Sequence, residues 1–251
     1  MTKAAAQCRY PFLLLHGLFG FSEHSIGPWK FSYFRQVVPF LERAGNSVFT
    51  LAVHPVHTIE FRARQVRAFI EQHPLLSQTR INLIGHSMGG LDGRYLTSRL
   101  DPEKRIASLS TLATPHHGSL LADLFMQIPV LKRILSSHLP AIPNLSEKEC
   151  LAFNQSIMDR DDVLYQSFSA HCGFIRACPI LWPFWLILKL ARGANDGQVT
   201  EQSAHWGECL GSLPGDHFEL IGLHLGANIF KPLDHLQAIA QITHSLAQKG
   251  L

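Results

Sequence analysis

Charged side chains are scarce in this chain. Asp, Glu, Lys and Arg together make 16% of its 251 residues, against 46% apolar ones. Such a balance belongs to a protein that buries much of itself or shows apolar surface. Lys and Arg do not cluster with interleaved aromatics, and the net charge is only +3. That excludes the electrostatic footprint of a nucleic-acid binder, while a weak attraction to anionic interfaces stays compatible with it. No apolar run reaches the roughly 18 residues of a membrane-spanning helix. The nearest, Pro179 to Leu190, is short and carries Pro179 and Pro183. The five cysteines show no CxxC spacing, which leaves no zinc framework. Their odd number reads as free thiols, with Cys172 and Cys178 the pair to test for a disulfide. No long apolar stretch precedes Arg9, so a secretory signal is not expected, and the location reads as cytoplasmic or organellar. Internal repeats, low-complexity tracts and linkers are also missing. Residues 1–251 are therefore expected to form one domain, a routine length for a single α/β unit.

What is present is an alternation of short apolar runs and helical patterns. Phe12–Leu15, Ser47–Leu51, Arg80–Ile84, Ile106–Ala113 and Asp162–Phe168 read as five strands. Trp29–Arg43, Glu60–His73 and Met88–Leu100 read as helices between them. The order predicts an α/β protein with a mostly parallel sheet and helices on both faces. The stretch from Ser119 to Arg160 breaks the alternation with two or three helices. One of them opens on the capping box Ser146-Glu147-Lys148-Glu149. This looks like an insertion over the carboxyl edge of the sheet, where ligands bind in open α/β folds.

Gly85-His86-Ser87-Met88-Gly89 matches G-x-S-x-G, directly after a strand and opening a helix. A nucleophile elbow needs small neighbours because the turn is sharp, and it sets the serine hydroxyl above a helix N-terminus. In the α/β-hydrolase fold the nucleophile is followed along the chain by an acid and then a histidine. With 15 histidines, that order does most of the selecting. His16, His86, His116 and His117 come too early or too close to Ser87. Asn195-Asp196-Gly197 is a turn after the fifth strand, where the acid belongs, so Asp196 is the expected acid. Asp159, Asp161 and Asp162 lie at that strand's other end. His217, in a loop after Pro214, is the expected base, with His205 and His224 as rivals. The oxyanion hole needs two backbone N–H donors. Met88, following the nucleophile, and Leu18, in His16-Gly17-Leu18-Phe19-Gly20, are the expected pair.

These motifs, with Thr114-Pro115-His116-His117-Gly118-Ser119 and Ser203-Ala204-His205-Trp206-Gly207, occur in an order that resembles the bacterial true lipases of the Pseudomonas type. They are similar also to the related intracellular triacylglycerol lipases of fungi. The resemblance spans Pro11 to Ile221. It implies an α/β-hydrolase fold, Ser87 as nucleophile, Asp196 as acid, His217 as base, and Leu18 and Met88 as oxyanion-hole amides. It implies that Ser119–Leu139, within the 119–160 insertion, is a lid. Bacterial members carry a structural calcium. Glu219 matches one of its acidic ligands, but the second falls near Arg176, which is cationic, so no cofactor is expected. No cysteine follows Asp196 closely enough for the disulfide of some bacterial members. The expected reaction is hydrolysis of lipid-like carboxylic esters through an acyl-enzyme. An acyltransferase using the same triad, and a non-catalytic lipid-surface binding protein, are the alternatives. Trp182, Phe184 and Trp185 are expected to belong to the core or line the substrate pocket, or else to dip into a lipid surface.

Overall fold

The computed structural model describes residues 3–20, 23–26, 29–225, 230 and 232–251. Six strands form one all-parallel sheet: β1 (Phe12–Leu15), β4 (Val48–Thr50), β5 (Ile81–His86), β6 (Ile106–Leu112), β7 (Leu164–Ala170) and β8 (Glu208–Leu213). Their order across the sheet is β4-β1-β5-β6-β7-β8. β2 (Glu23–Ile26) and β3 (Trp29–Ser32) make a separate antiparallel pair.

The central strands are buried along their whole length, as a sheet covered on both faces requires. Alternation then sorts their side chains. Phe12, Leu14, Ile84 and Leu112 pack with α1 (Val37–Glu42) and α10 (Leu236–Gln248). Leu13, Leu15, Leu83 and Leu109 pack on the other face, against α2 (Ile59–Gln72) and Leu96 of α3 (Met88–Arg99). Polar pairs run through the sheet as well. Ser108 donates to Asn82 Oδ1 at 2.7 Å, and Gln166 donates to the Ser110 hydroxyl at 2.8 Å. Ser245 of α10 donates to Gln166 Oε1 at 2.9 Å. Each satisfies a group that would be costly to bury alone.

The elements depart from expectation in several places. Trp29–Arg43 is not one helix. Trp29–Ser32 pairs as a strand, and Gln36, with φ 59°, delays the helix until Val37. The sixth strand, Glu208–Leu213, was not expected from its residues. It is an edge strand with exposed Glu208 and Cys209, so it shows neither a continuous apolar run nor a clean alternation.

Between β6 and β7 lie four helices, α4 (Leu120–Gln127), α5 (Pro129–His138), α6 (Ala141–Asn144) and α7 (Glu147–Ser156). The Ser146 hydroxyl accepts from Glu149 N–H at 3.2 Å, which caps α7. Leu145, Cys150 and Ala122 pack on Met88 and Leu91 of α3, so this group sits over the helix that follows Ser87. Between β7 and β8 run α8 (Trp182–Arg192) and α9 (Glu201–Ala204). The chain leaves β1 toward β4, then crosses back to β5 on the other side of β1. That reversal opens a crevice at the carboxyl ends of β1 and β5, the general place for a ligand in such sheets.

Candidate active site

Ser87 sits at the turn from β5 into α3, with φ 54° and ψ −130°. A non-glycine residue adopts this conformation only when its surroundings enforce it. The enforcement is visible. Ser87 N–H donates to Leu112 O at 2.9 Å, and Thr114 Oγ1 donates to Ser87 O at 2.7 Å. The glycines permit the closeness: a Cβ on Gly85 would stand 2.6 Å from Gly90 N, and one on Gly89 would run into the Leu15 carbonyl. Ser87 is 8% exposed and lines a cavity.

Asp196 and His217 meet although they come from separate turns. His217 Nδ1–H donates to Asp196 Oδ2 at 2.7 Å, and His217 N–H donates to Asp196 O at 2.9 Å. The other carboxylate oxygen, Oδ1, accepts from the N–H groups of Gln198 at 2.8 Å and Val199 at 2.7 Å. Asp196 is thus fully buried and held by two amides besides the imidazole. With Nδ1 committed to Asp196, Nε2 is the nitrogen that remains for proton transfer. His217 and Ser87 line the same cavity. The rivals lie elsewhere. His205 is exposed beyond α9, and His224 Nδ1 stands 3.6 Å from Glu219. Asp159 binds the Trp206 indole at 2.8 Å, and Asp162 pairs with Arg160, both before β7 begins.

The loop after β1 is held from behind. Buried Arg62 of α2 donates to His16 O at 2.6 Å and to Gly17 O at 3.4 Å, and it pairs with buried Asp92 at 2.7 Å. Val53 N–H donates to His16 Nε2 at 3.1 Å, so His16 carries its proton on Nδ1 and donates it to Gly17 O at 2.8 Å. Burial and the nearby Arg62 charge lower the His16 pKa to about 4, which keeps the ring neutral. With these carbonyls drawn backward, three amides of the loop are already occupied. Gly17 N–H donates to the Tyr33 hydroxyl at 3.1 Å, Phe19 N–H to Pro55 O at 2.9 Å and Gly20 N–H to Gly17 O at 3.2 Å. Among the described residues no acceptor faces the Leu18 amide, nor that of Met88, the first residue of α3. Leu18 and Ser87 line the same cavity, and Met88 follows Ser87 directly. Arg62, Asp92 and Tyr33 were not singled out from sequence; nothing in their local spacing marks them.

The cavity measures about 550 Å³ and is almost wholly apolar. Leu18, Phe125 of α4, Leu145, Leu181, Phe184 of α8, Val199 and Phe218 supply its walls. Phe125 and Phe184 meet edge to face with centroids 6.0 Å apart, joining α4 to α8 across it. All five cysteines are free thiols.

Glu219 does not offer itself to a metal. Arg176 donates to both its oxygens, at 2.6 and 3.1 Å, and the N–H groups of Asp216 and Leu233 donate at 3.1 and 3.0 Å. A guanidinium already neutralises this buried carboxylate, and no cluster of three metal-ligating side chains occurs among the described residues. These residues do not fit a calcium ion, which needs several free oxygens.

Residues 10–130 match the model of the alpha/beta hydrolase fold family. The chain is 31% identical over 247 residues to triacylglycerol lipase 2 of Saccharomyces cerevisiae, covering 88% of this chain and 75% of that one. It is 42% identical to a triacylglycerol lipase of Pseudomonas fragi over 118 residues, 46% of this chain and 38% of the bacterial one. Among solved structures, the Staphylococcus hyicus lipase superposes with a TM-score of 0.79 at 15% identity, covering 99% and 97% of the two chains. A metagenomic carboxyl esterase, MGS0156, reaches the same score at 21% identity over 96% of this chain and 77% of its own. By fold, by the order of its motifs and by these likenesses, the chain belongs to the triacylglycerol lipase family of α/β-hydrolases.

Proposed function

We propose that the protein hydrolyses carboxylic esters of lipids, with Ser87, His217 and Asp196 as nucleophile, base and acid. The observation that carries this reading is the 2.7 Å bond from His217 to buried Asp196, with His217 and a strained Ser87 both at the wall of an apolar cavity. His217 Nε2 takes the Ser87 proton as Oγ attacks the acyl carbon, while Asp196 holds the imidazole in the required tautomer. The Leu18 and Met88 amides bind the tetrahedral oxyanion. The proton passes from His217 to the leaving alcohol, and water repeats the cycle on the acyl-enzyme.

Substrate class follows from the walls. Arg35, Ser119 and Gln198 are among the few polar groups there, so a polar acid would recover little of its lost hydration, whereas an acyl chain gains about 25 cal/mol for each Å² of apolar surface buried. In this reading α4 and α5 are the lid, since α4 supplies Leu121, Ala122 and Phe125 to the cavity. Lipid reaches the site from an interface. α5 buries none of its residues, and on α8 Leu186 and Leu190 are 48% and 80% exposed. No helix among the described residues is long and apolar enough to cross a membrane.

Ser87→Ala is expected to lower hydrolysis of p-nitrophenyl esters about a thousandfold or more. A fluorophosphonate should label Ser87 and no other serine. Retained turnover, or labelling elsewhere, overturns the assignment. Competing alcohols in the same assay separate hydrolysis from acyl transfer.

A further inference from the structure

The nucleophile's neighbour His86 is not used by the reaction as written, yet it is buried, and its ring lies between those of Tyr33 and His217. The centroids stand 5.8 and 4.7 Å apart. We propose that Tyr33 and His86 are positioning residues that tie the oxyanion loop to the backbone of the catalytic base through one directed chain of three hydrogen bonds.

The links are short and come from four distant parts of the sequence. Gly17 N–H meets the Tyr33 hydroxyl at 3.1 Å. That hydroxyl meets His86 Nδ1 at 2.8 Å, and His86 Nε2 meets His217 O at 3.1 Å. Both ends have fixed roles: an amide N–H only donates and a carbonyl only accepts. His86 must therefore carry a proton on Nε2. The Tyr33 hydroxyl accepts from Gly17 and gives its own proton to Nδ1. A neutral His86 with its proton on Nε2 satisfies all three bonds. Burial lowers the His86 pKa well below its ordinary value and so favours that neutral ring.

The chain encloses the nucleophile. A Cβ built on Gly17 would lie 2.8 Å from Ser87 Cβ and 2.9 Å from the Tyr33 hydroxyl. Gly17 precedes Leu18, whose amide is the proposed oxyanion donor. At the far end the bond grips the backbone of His217 itself. The two groups that must agree on the position of one acyl carbon are thereby referred to each other. Arg62 fixes only the carbonyl side of the loop, so this chain supplies the second constraint.

The proposal rests on the hydrolase reading, and the experiment keeps the two apart. Tyr33→Phe, His86→Leu, His86→Gln, the double variant Tyr33→Phe/His86→Leu and Ser87→Ala are compared on soluble p-nitrophenyl butyrate. Tyr33→Phe and His86→Leu should each lower kcat about 10- to 100-fold, the scale of a small misplacement of reacting groups, with KM within about threefold. His86→Gln should recover a good part of the loss, because its amide nitrogen can still donate to His217 O. The double variant should fall no more than about threefold below the poorer single one, as members of one chain do. If His86→Leu fails to fold, the near-isosteric Tyr33→Phe and the His86→Gln comparison carry the test. A Tyr33→Phe kcat within about twofold of the parent overturns the proposal. So does a raised KM at unchanged kcat, which would make Tyr33 merely a cavity wall, or multiplicative losses in the double variant. Activity remaining in Ser87→Ala would instead overturn the hydrolase assignment.

Discussion

Arg62 and Asp92 pair 2.7 Å apart with no side-chain exposure worth the name, 0% and 1%. Such a pair contributes little net stability, because both ions have left water. What it contributes is placement, since Arg62 also holds the His16, Gly17 and His54 carbonyls. Arg62→Met is expected to lower unfolding stability by about 3–5 kcal/mol, because buried Asp92, its pKa already raised to about 6 by burial, loses its cation and must take up a proton or stay charged without it. Urea denaturation measures this, and Asp92→Leu added to Arg62→Met should restore part of the loss. At this scale the residues proposed to react could be nominated from sequence and their holders could not. Ser87, Asp196 and His217 could be picked out because the chemistry restricts residue type and the fold restricts their order. Arg62 and Tyr33 act through contacts across the sheet, and a contact between distant segments leaves no local pattern.

Secondary elements were legible where burial is continuous. The buried strands before and after Ser87 announce themselves as apolar runs. Trp29–Arg43 misleads because the spacing of Phe34, Val37, Val38 and Leu41 is helical while Gln36 turns the chain with a positive φ. α8 is the element whose sequence suggested two roles, and the structure divides them by face. Leu181 and Phe184, at and just inside its start, look into the cavity, whereas Leu186 and Leu190 lie in the open. Replacing both with serine is expected to weaken adsorption to emulsified triacylglycerol about tenfold or more, by the apolar area withdrawn from the interface. Turnover of soluble p-nitrophenyl butyrate should stay within about twofold. Equal losses on both substrates would place the two leucines in the chemistry instead.

Over the whole molecule, several buried histidines make acid the vulnerable side. His16, His86 and His116 are all lowered by burial. Their folded pKa values lie below the unfolded value near 6.5, so the unfolded chain takes up protons first as pH falls. Stability from these groups is full above about pH 6.5 and is lost on the way down toward pH 4. The buried Asp216 carboxyl, raised by burial, acts in the opposite direction. A difference between variants isolates one group. His116, stacked on Trp206 at 5.3 Å, touches neither Ser87 nor His217 in any hydrogen bond. In His116→Gln, the slope of unfolding free energy between pH 6 and 5 should be shallower by about 1.4 kcal/mol per pH unit. An unchanged slope would mean that His116 is protonated in the fold.

The polar pairs inside the sheet bear on how the chain finds this arrangement. Parallel strands come from distant segments and close large loops before they gain contacts, so wrong alignments are a standing hazard in their assembly. Leucine against leucine tolerates a slide. Asn82 facing Ser108, and Gln166 between Ser110 and Ser245, do not. A shift by one residue would strand these groups in a dry interior, at about 1–3 kcal/mol each. They act as alignment marks, penalising a misregistered intermediate at the strands that must deliver Ser87 to its place.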